Sequence, residues 1–380
     1  MDDLTPPHPA LLPAGLRDLL PPEAQAEADA VETLLAVFAT HGYDRVKPPM
    51  LEYEDNLLAG AGAATADQSF RLMDPDSHRM MALRADTTPQ IARIAATRLA
   101  GSPRPLRLSY AGECIRTRGQ RETDRQVPQA GLELFGADTP EADAEAMLVA
   151  TEALAAIGLG KLSLDLTLPT LAPALLDEAA LPPAQRKTLA HALDRKDAAG
   201  VHAHGGAMAP MLTDLLLAAG PAAGALAALQ RATLPAPCQA LAERLAAVTA
   251  LLHAGAPALK ITIDPLEFRG FRYHTGIAVT VFAPGRHEEL GRGGRYVSAN
   301  NEPATGLTLY ADAILRAAPV QAARRRLYVP LGTDAALAKT LRQSGYATIA
   351  GLQPASDAMA EARRLLCTHV LLGGTPTLTS

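Results

Sequence analysis

Glu133 interrupts an otherwise apolar strand pattern, Gly131-Leu132-Glu133-Leu134-Phe135. An inward carboxylate at such a place needs a hydrogen-bond partner, from the protein or from a ligand. Two arginines have the chemistry to meet an anion: Arg116, in the run Cys114-Ile115-Arg116-Thr117-Arg118, and Arg269, next to Gly270. Guanidinium forks match carboxylate and phosphate, yet an arginine taken alone in such a loop is more often a solvated surface charge. His202 and His204 have the spacing of a metal pair, but no acidic or cysteine partner clusters with them, so a surface loop is the reading and no metal site is expected. Gly293-Gly294 is by itself a tight turn. Cys114, Cys238 and Cys367 are far apart and odd in number, which fits buried thiols in a reducing, cytoplasmic setting.

These residues need elements to hold them. From Ala24 to His41 the apolar positions Ala28, Val31, Leu34, Leu35 and Phe38 recur at helical spacing, and Gly42 is the expected stop. Tyr43 to Lys47 reads as a short strand closed by Pro48-Pro49, and Ser69 to Leu83 as a hairpin around Asp74-Pro75-Asp76-Ser77. Thr87-Thr88-Pro89 marks the start of a helix running to Ala100. Arg107–Gly112 and Gln129–Gly136 read as antiparallel strands flanking an arginine-rich loop, followed by a helix from Glu141 to Ile157 and a strand over Leu162–Leu166. Between about residues 169 and 257 alternation gives way to Ala and Leu, broken by Pro and Gly, which predicts a helical insertion. Strands return at 259–263, 276–283 and 286–290, then a Gly-rich turn and an apolar run over 304–315. After Pro319 the pattern alternates strand and helix as a small α/β unit. The expected organisation is a core over residues 1–318, carrying the insertion, and a second unit over 319–380.

The 380 residues are 48% apolar and 20% charged, enough to bury a core, and with no Trp, 8 Tyr and 6 Phe that core must be mostly Ala, Leu and Val. A net charge of −5 does not advertise a nucleic-acid or membrane-surface protein. The acidic start lacks an apolar signal core, and the stretch Leu215–Gln230 falls short of the ~20 residues of a membrane span.

Taken together these pieces resemble the class II aminoacyl-tRNA synthetase core, and within it histidyl-tRNA synthetase and its paralogue family, the regulatory subunits of ATP phosphoribosyltransferase. The likeness covers roughly residues 13 to 316. The helix–strand–Pro unit ending at Pro48-Pro49 looks like the first motif, which builds the family's dimer interface. The stretch Cys114 to Gly136 resembles the second motif, Leu266 to Gly276 the histidine-specific signature, and Gly293-Gly294-Arg295-Tyr296 a further stretch of that subfamily. The resemblance implies an α+β fold, an antiparallel sheet flanked by helices. It also implies a pocket for L-histidine in which Asp86, Thr88 and Gln129 face the ammonium and Glu133 accepts from the ring. Arg116 and Arg269 would face the carboxylate or an adjoining phosphate, and Tyr273 and His274 would line the ring side. Synthetases usually carry Glu where Asp86 sits and Tyr where His274 sits, and the run Asp86 to Gln90 is closer to the regulatory paralogue.

Adenylation chemistry is expected to fail. The acceptor Glu of the second motif is Arg118, which can only donate. In the third motif Gly-x-Glu-Arg becomes Tyr310-Ala311-Asp312-Ala313, so a methyl group stands where the invariant cation belongs, and Arg316 lies about three-quarters of a turn away. The tail from Ala318 leaves about sixty residues where an anticodon-binding domain needs roughly a hundred. The resemblance therefore implies a non-catalytic chain without cofactor that binds and activates a short-form ATP phosphoribosyltransferase catalytic subunit. That chain would self-associate as a dimer within a hetero-oligomer, answer to histidine, and make tRNA an unlikely partner. A divergent histidyl-tRNA synthetase and a free-standing histidine sensor are the alternatives.

Overall fold

The apolar spacing after Pro22 folds as the helix Glu23–Thr40, which buries Ala30, Leu34, Leu35 and Phe38, and Gly42 at φ +78° ends it. The computed structural model describes residues 11–118, 125–179, 181–268, 270, 273–319 and 325–379. Two compact units are present, Met1–Pro319 and Val320–Ser380.

The first unit is built on a nine-stranded sheet among the described residues. Its order is Asp44–Arg45, Leu106–Ile115, Gln126–Phe135, Pro303–Tyr310, Glu289–Val297, His274–Phe282, Ser163–Thr167, Lys260–Asp264 and Gly220–Pro221. Neighbours are antiparallel except at two joins, Asp44–Arg45 with Leu106–Ile115 and Ser163–Thr167 with Lys260–Asp264. A parallel join needs a long crossover, and the second one is made by the segment expected to be an insertion. That segment carries the helices Leu171–Glu178, Pro183–Asp194, Ala198–His204, Ala209–Leu217, Ala222–Arg231 and Ala236–Gly255. It also adds Gly220–Pro221 to the sheet edge, which its Ala- and Leu-rich composition did not announce.

Alternation along the strands separates two chemistries. Ala130, Leu132, Leu134, Leu307, Leu309, Ile277 and Val279 are buried on one face, beneath helices Glu23–Thr40, Pro140–Ala156 and Ala236–Gly255, in a core dominated by Leu and Ala. On the opposite face the register aligns Tyr110, Gly131, Thr308, Arg292 and Thr280 in one row and Glu133, Gly306, Gly294 and Ala278 in the next. Directly opposed residues share a face, so the polar residues of five strands converge on one side.

Two sequence expectations are corrected. The Gly-rich stretch after Leu290 is not a turn but the middle of strand Glu289–Val297. Glycine is needed there because a Cβ on Gly293 would lie 2.6 Å from Leu307 Cα, and because Gly294 has φ +143° and a Cβ there would lie 2.9 Å from His274 Cδ2. His202 and His204 are exposed at the end of a short helix, Ala198–His204, that buries Val201, rather than in a loop, and no His/Cys/Asp/Glu metal group occurs among the described residues.

In the second unit Ala347–Ala350, Arg326–Val329 and His369–Leu372 are parallel, and Thr375–Leu378 pairs antiparallel on His369–Leu372. Helices Ala335–Gln343 and Ala358–Arg364 begin at Asp334 and Asp357, whose carboxylates cap Leu337 N and Met359 N. No described helix is long and apolar enough to cross a membrane.

Candidate functional site

Glu133 is 1% exposed, and its carboxylate lies over Gly306, where any side chain would collide with it. Thr88 Oγ1 donates to Glu133 Oε1 at 3.0 Å and the Tyr296 hydroxyl donates to Oε2 at 2.8 Å. The partner demanded by an acid in an apolar strand is thus a pair of hydroxyls. Burial pushes the carboxyl up to about 8; the two hydroxyls oppose that, and the charge of Asp86 adds to it. The hydroxyl chain continues from Thr88 to Tyr110 at 3.2 Å and from Tyr110 to Thr308 at 2.7 Å.

Asp86 and Thr88 are brought to this acid by the segment entering helix Thr88–Ala96. Asp86 Oδ1 accepts from Thr88 N at 3.2 Å, satisfying one of the free amides of the helix start. The segment is pinned by Arg84, 5% exposed, which donates to Glu113 O at 2.7 Å and Pro48 O at 3.3 Å. Gln129 Oε1 accepts from Thr87 N at 3.1 Å and Cys114 Sγ at 3.1 Å. Burial raises that thiol to about 12, which keeps it unreactive. The other two cysteines are buried and free as well.

Arg116 is 8% exposed and donates from Nε to Ala85 O at 3.1 Å, next to Asp86. Tyr273 and His274 stack at 4.4 Å, and Tyr273 meets Tyr296 edge-on at 5.7 Å. Burial, reinforced by the charge of Arg292, holds the His274 imidazole down to about 3, so it is neutral through the physiological range. Seven of the eight expected site residues, Asp86, Thr88, Arg116, Gln129, Glu133, Tyr273 and His274, therefore gather on one face of the sheet or at its edge. Arg269 lies outside the described residues.

Three contributors escaped the sequence reading: Tyr296, Tyr110 and Thr308. Tyr296 stood inside a quoted motif, but the signal lies in its register against His274 on one side and Ala304 on the other, which only the paired sheet reveals. Arg295, its neighbour in the motif, points the other way and bonds Asp143 at 2.7 Å.

The end of the cleft past Gln129 differs in kind. Tyr310 pairs with Gln129 and stands where the third motif has glycine, so a phenol ring occupies the face there. Ala313 is 3% exposed within the Leu and Ala core. Arg316 is committed to Glu288 at 3.0 Å and Asp312 at 2.8 Å, and Arg118 is exposed. Among the described residues, Arg118, Ala313 and Arg316 thus do not form a cation set for a triphosphate.

The family model for histidyl-tRNA synthetase matches residues 15–314. A protein of Gluconobacter oxydans described as an ATP phosphoribosyltransferase regulatory subunit is 54% identical over 370 residues, covering 97% of each chain. One of Paramagnetospirillum magneticum with the same description is 52% identical over 363 residues, 95% of this chain and 96% of its own. Among solved structures, one from Bacillus halodurans described as an ATP phosphoribosyltransferase regulatory subunit/histidyl-tRNA synthetase superposes with TM-score 0.80 at 22% identity, over 95% of this chain and 97% of that one. A histidyl-tRNA synthetase from Nostoc superposes with TM-score 0.78 at 18% identity, over 95% and 91%. Those two likenesses show the fold, which is the α+β class II synthetase-like fold expected from the motifs. Spanning nearly the full length of relatives more than half identical to it, the chain belongs to the family of ATP phosphoribosyltransferase regulatory subunits, built on the histidyl-tRNA synthetase fold.

Proposed function

We propose that the chain is a non-catalytic subunit that binds and activates a short-form ATP phosphoribosyltransferase, the enzyme of the first step of histidine biosynthesis, and conveys inhibition by L-histidine bound in the cleft. The observation that carries this reading is the contrast between the two ends of one cleft. Asp86, Thr88 and Glu133 lie together in a grouping that suits an amino acid, with Gln129 beside them but its Oε1 already accepting from Thr87 N and Cys114 Sγ, whereas Tyr310 and the buried Ala313 replace the glycine and the cation that adenylation needs. A chain with an amino-acid site and no chemistry acts through what it binds, so its effect appears in a partner's rate or affinity. Dimerisation through the helix Glu23–Thr40 and the strand after it is part of the same reading, as is a cytoplasmic location.

Calorimetry with histidine, run beside histidine-dependent ATP–pyrophosphate exchange, tests the reading. Binding without exchange is expected. Glu133→Ala removes an acceptor in a buried site and should weaken binding by about 1.5–3 kcal/mol. Exchange well above background, or a parent protein that does not bind histidine, contradicts it.

A further inference from the structure

Arg292 belongs to none of the motif positions, yet the register puts it on the same sheet face as Glu133. It pairs with Thr308 on one side and Thr280 on the other, in the row that contains Gly131 and Tyr110. Glu289, three residues earlier, holds the guanidinium at 3.0 Å, and the side chain is 26% exposed. A Cβ built on Gly270 would lie 3.8 Å from both Nη1 and Nη2, so the fork faces Gly270 of the signature. The Arg292 charge acts on Tyr273, His274 and Tyr310, and the Arg116 charge acts on Tyr310 too. Tyr310 thus lies within the field of both guanidiniums.

Arg292 lies on the same face as Glu133, one pleat repeat (about 7 Å) along the sheet and two strands across.

We propose that Arg292 joins Arg116 in clamping the ligand's α-carboxylate, so that the cleft selects an amino acid with a free carboxylate over the amino alcohol of the same side chain. The inference rests on the histidine reading of the pocket and adds a residue outside the motifs that carried it. Its chemical sense lies in the absence of a reaction. A carboxylate that is never activated remains an anion, and two forked donors hold an anion better than one.

Calorimetry of histidine and of histidinol on the parent, on Arg292→Gln and on Arg292→Lys tests it. The parent should prefer histidine. Arg292→Gln should lose about ten- to hundredfold in histidine affinity while histidinol binding stays within about twofold, and Arg292→Lys should restore part of the preference. An unchanged histidine-to-histidinol ratio in Arg292→Gln overturns the proposal, whether both affinities are kept or both fall, since a merely structural role moves the two together. A parent that binds neither ligand overturns the pocket reading itself, and a parent that binds both equally overturns the carboxylate clamp alone.

Discussion

Glu133 titrates differently from an ordinary glutamate because its carboxylate is buried, with the hydroxyls of Thr88 and Tyr296 against it and Asp86 as a nearby charge. Its folded value of about 8 lies above the ordinary 4.5. The empty protein therefore holds that proton more tightly than the unfolded chain, and the associated stability is complete below the ordinary value and is lost as pH rises toward about 8. Histidine, with an imidazole value of about 6.5, changes the count. In the complex one proton is shared between imidazole and Glu133. Below about 6.5 both free partners are protonated, so binding must release a proton and weakens as pH falls; above about 8 both are proton-free, so binding must take one up and weakens as pH rises. Histidine affinity measured by calorimetry from acid to alkaline pH should peak between those limits. A flat profile would show that Glu133 does not meet the ring.

Helix Pro140–Ala156 holds the sheet through one buried acid. Asp143, 1% exposed, accepts from Arg295 of strand Glu289–Val297 and from Arg244 of helix Ala236–Gly255, each at 2.7 Å. Asp143→Ala leaves the buried Arg295 with the exposed Asp138, 3.4 Å away, as a remaining counter-charge, and the loss expected for breaking a buried pair is up to about 3–5 kcal/mol. Urea unfolding should show a much earlier midpoint, and a shift below about 1 kcal/mol would mean that the network carries little stability. Elements of this kind also mark where reading the sequence succeeds. The helix Glu23–Thr40, the long hairpin Leu106–Ile115 with Gln126–Phe135 and the helix Pro140–Ala156 were legible because their periodicities repeat over many residues. Strand Glu289–Val297 was not, since its glycines answer to close approach by Leu307 and His274 from neighbouring strands. For the same reason Glu133 was legible as an oddity in its own strand, while Tyr296, Tyr110, Thr308 and Arg292 depend on pairings nearly two hundred residues apart at most. The final strand Thr375–Leu378 was missed because four residues with Pro376 among them read as a tail.

The whole chain combines a synthetase-like first unit, in which Tyr310 stands where the third motif has glycine, with a second, α/β unit. Such a molecule influences metabolism by association, and linkage fixes the form of the influence. If it stabilises the active state of a catalytic partner, that partner is slower alone than in the complex, and histidine inhibits the complex more strongly than the lone enzyme. The most direct measurement mixes the purified chain with the short-form ATP phosphoribosyltransferase of the same organism, follows co-elution, and assays phosphoribosyl-ATP formation with and without histidine. Co-elution, a faster reaction in the mixture and stronger inhibition by histidine there are the predicted results; separate elution with equal rates in the presence and absence of the chain would contradict the account.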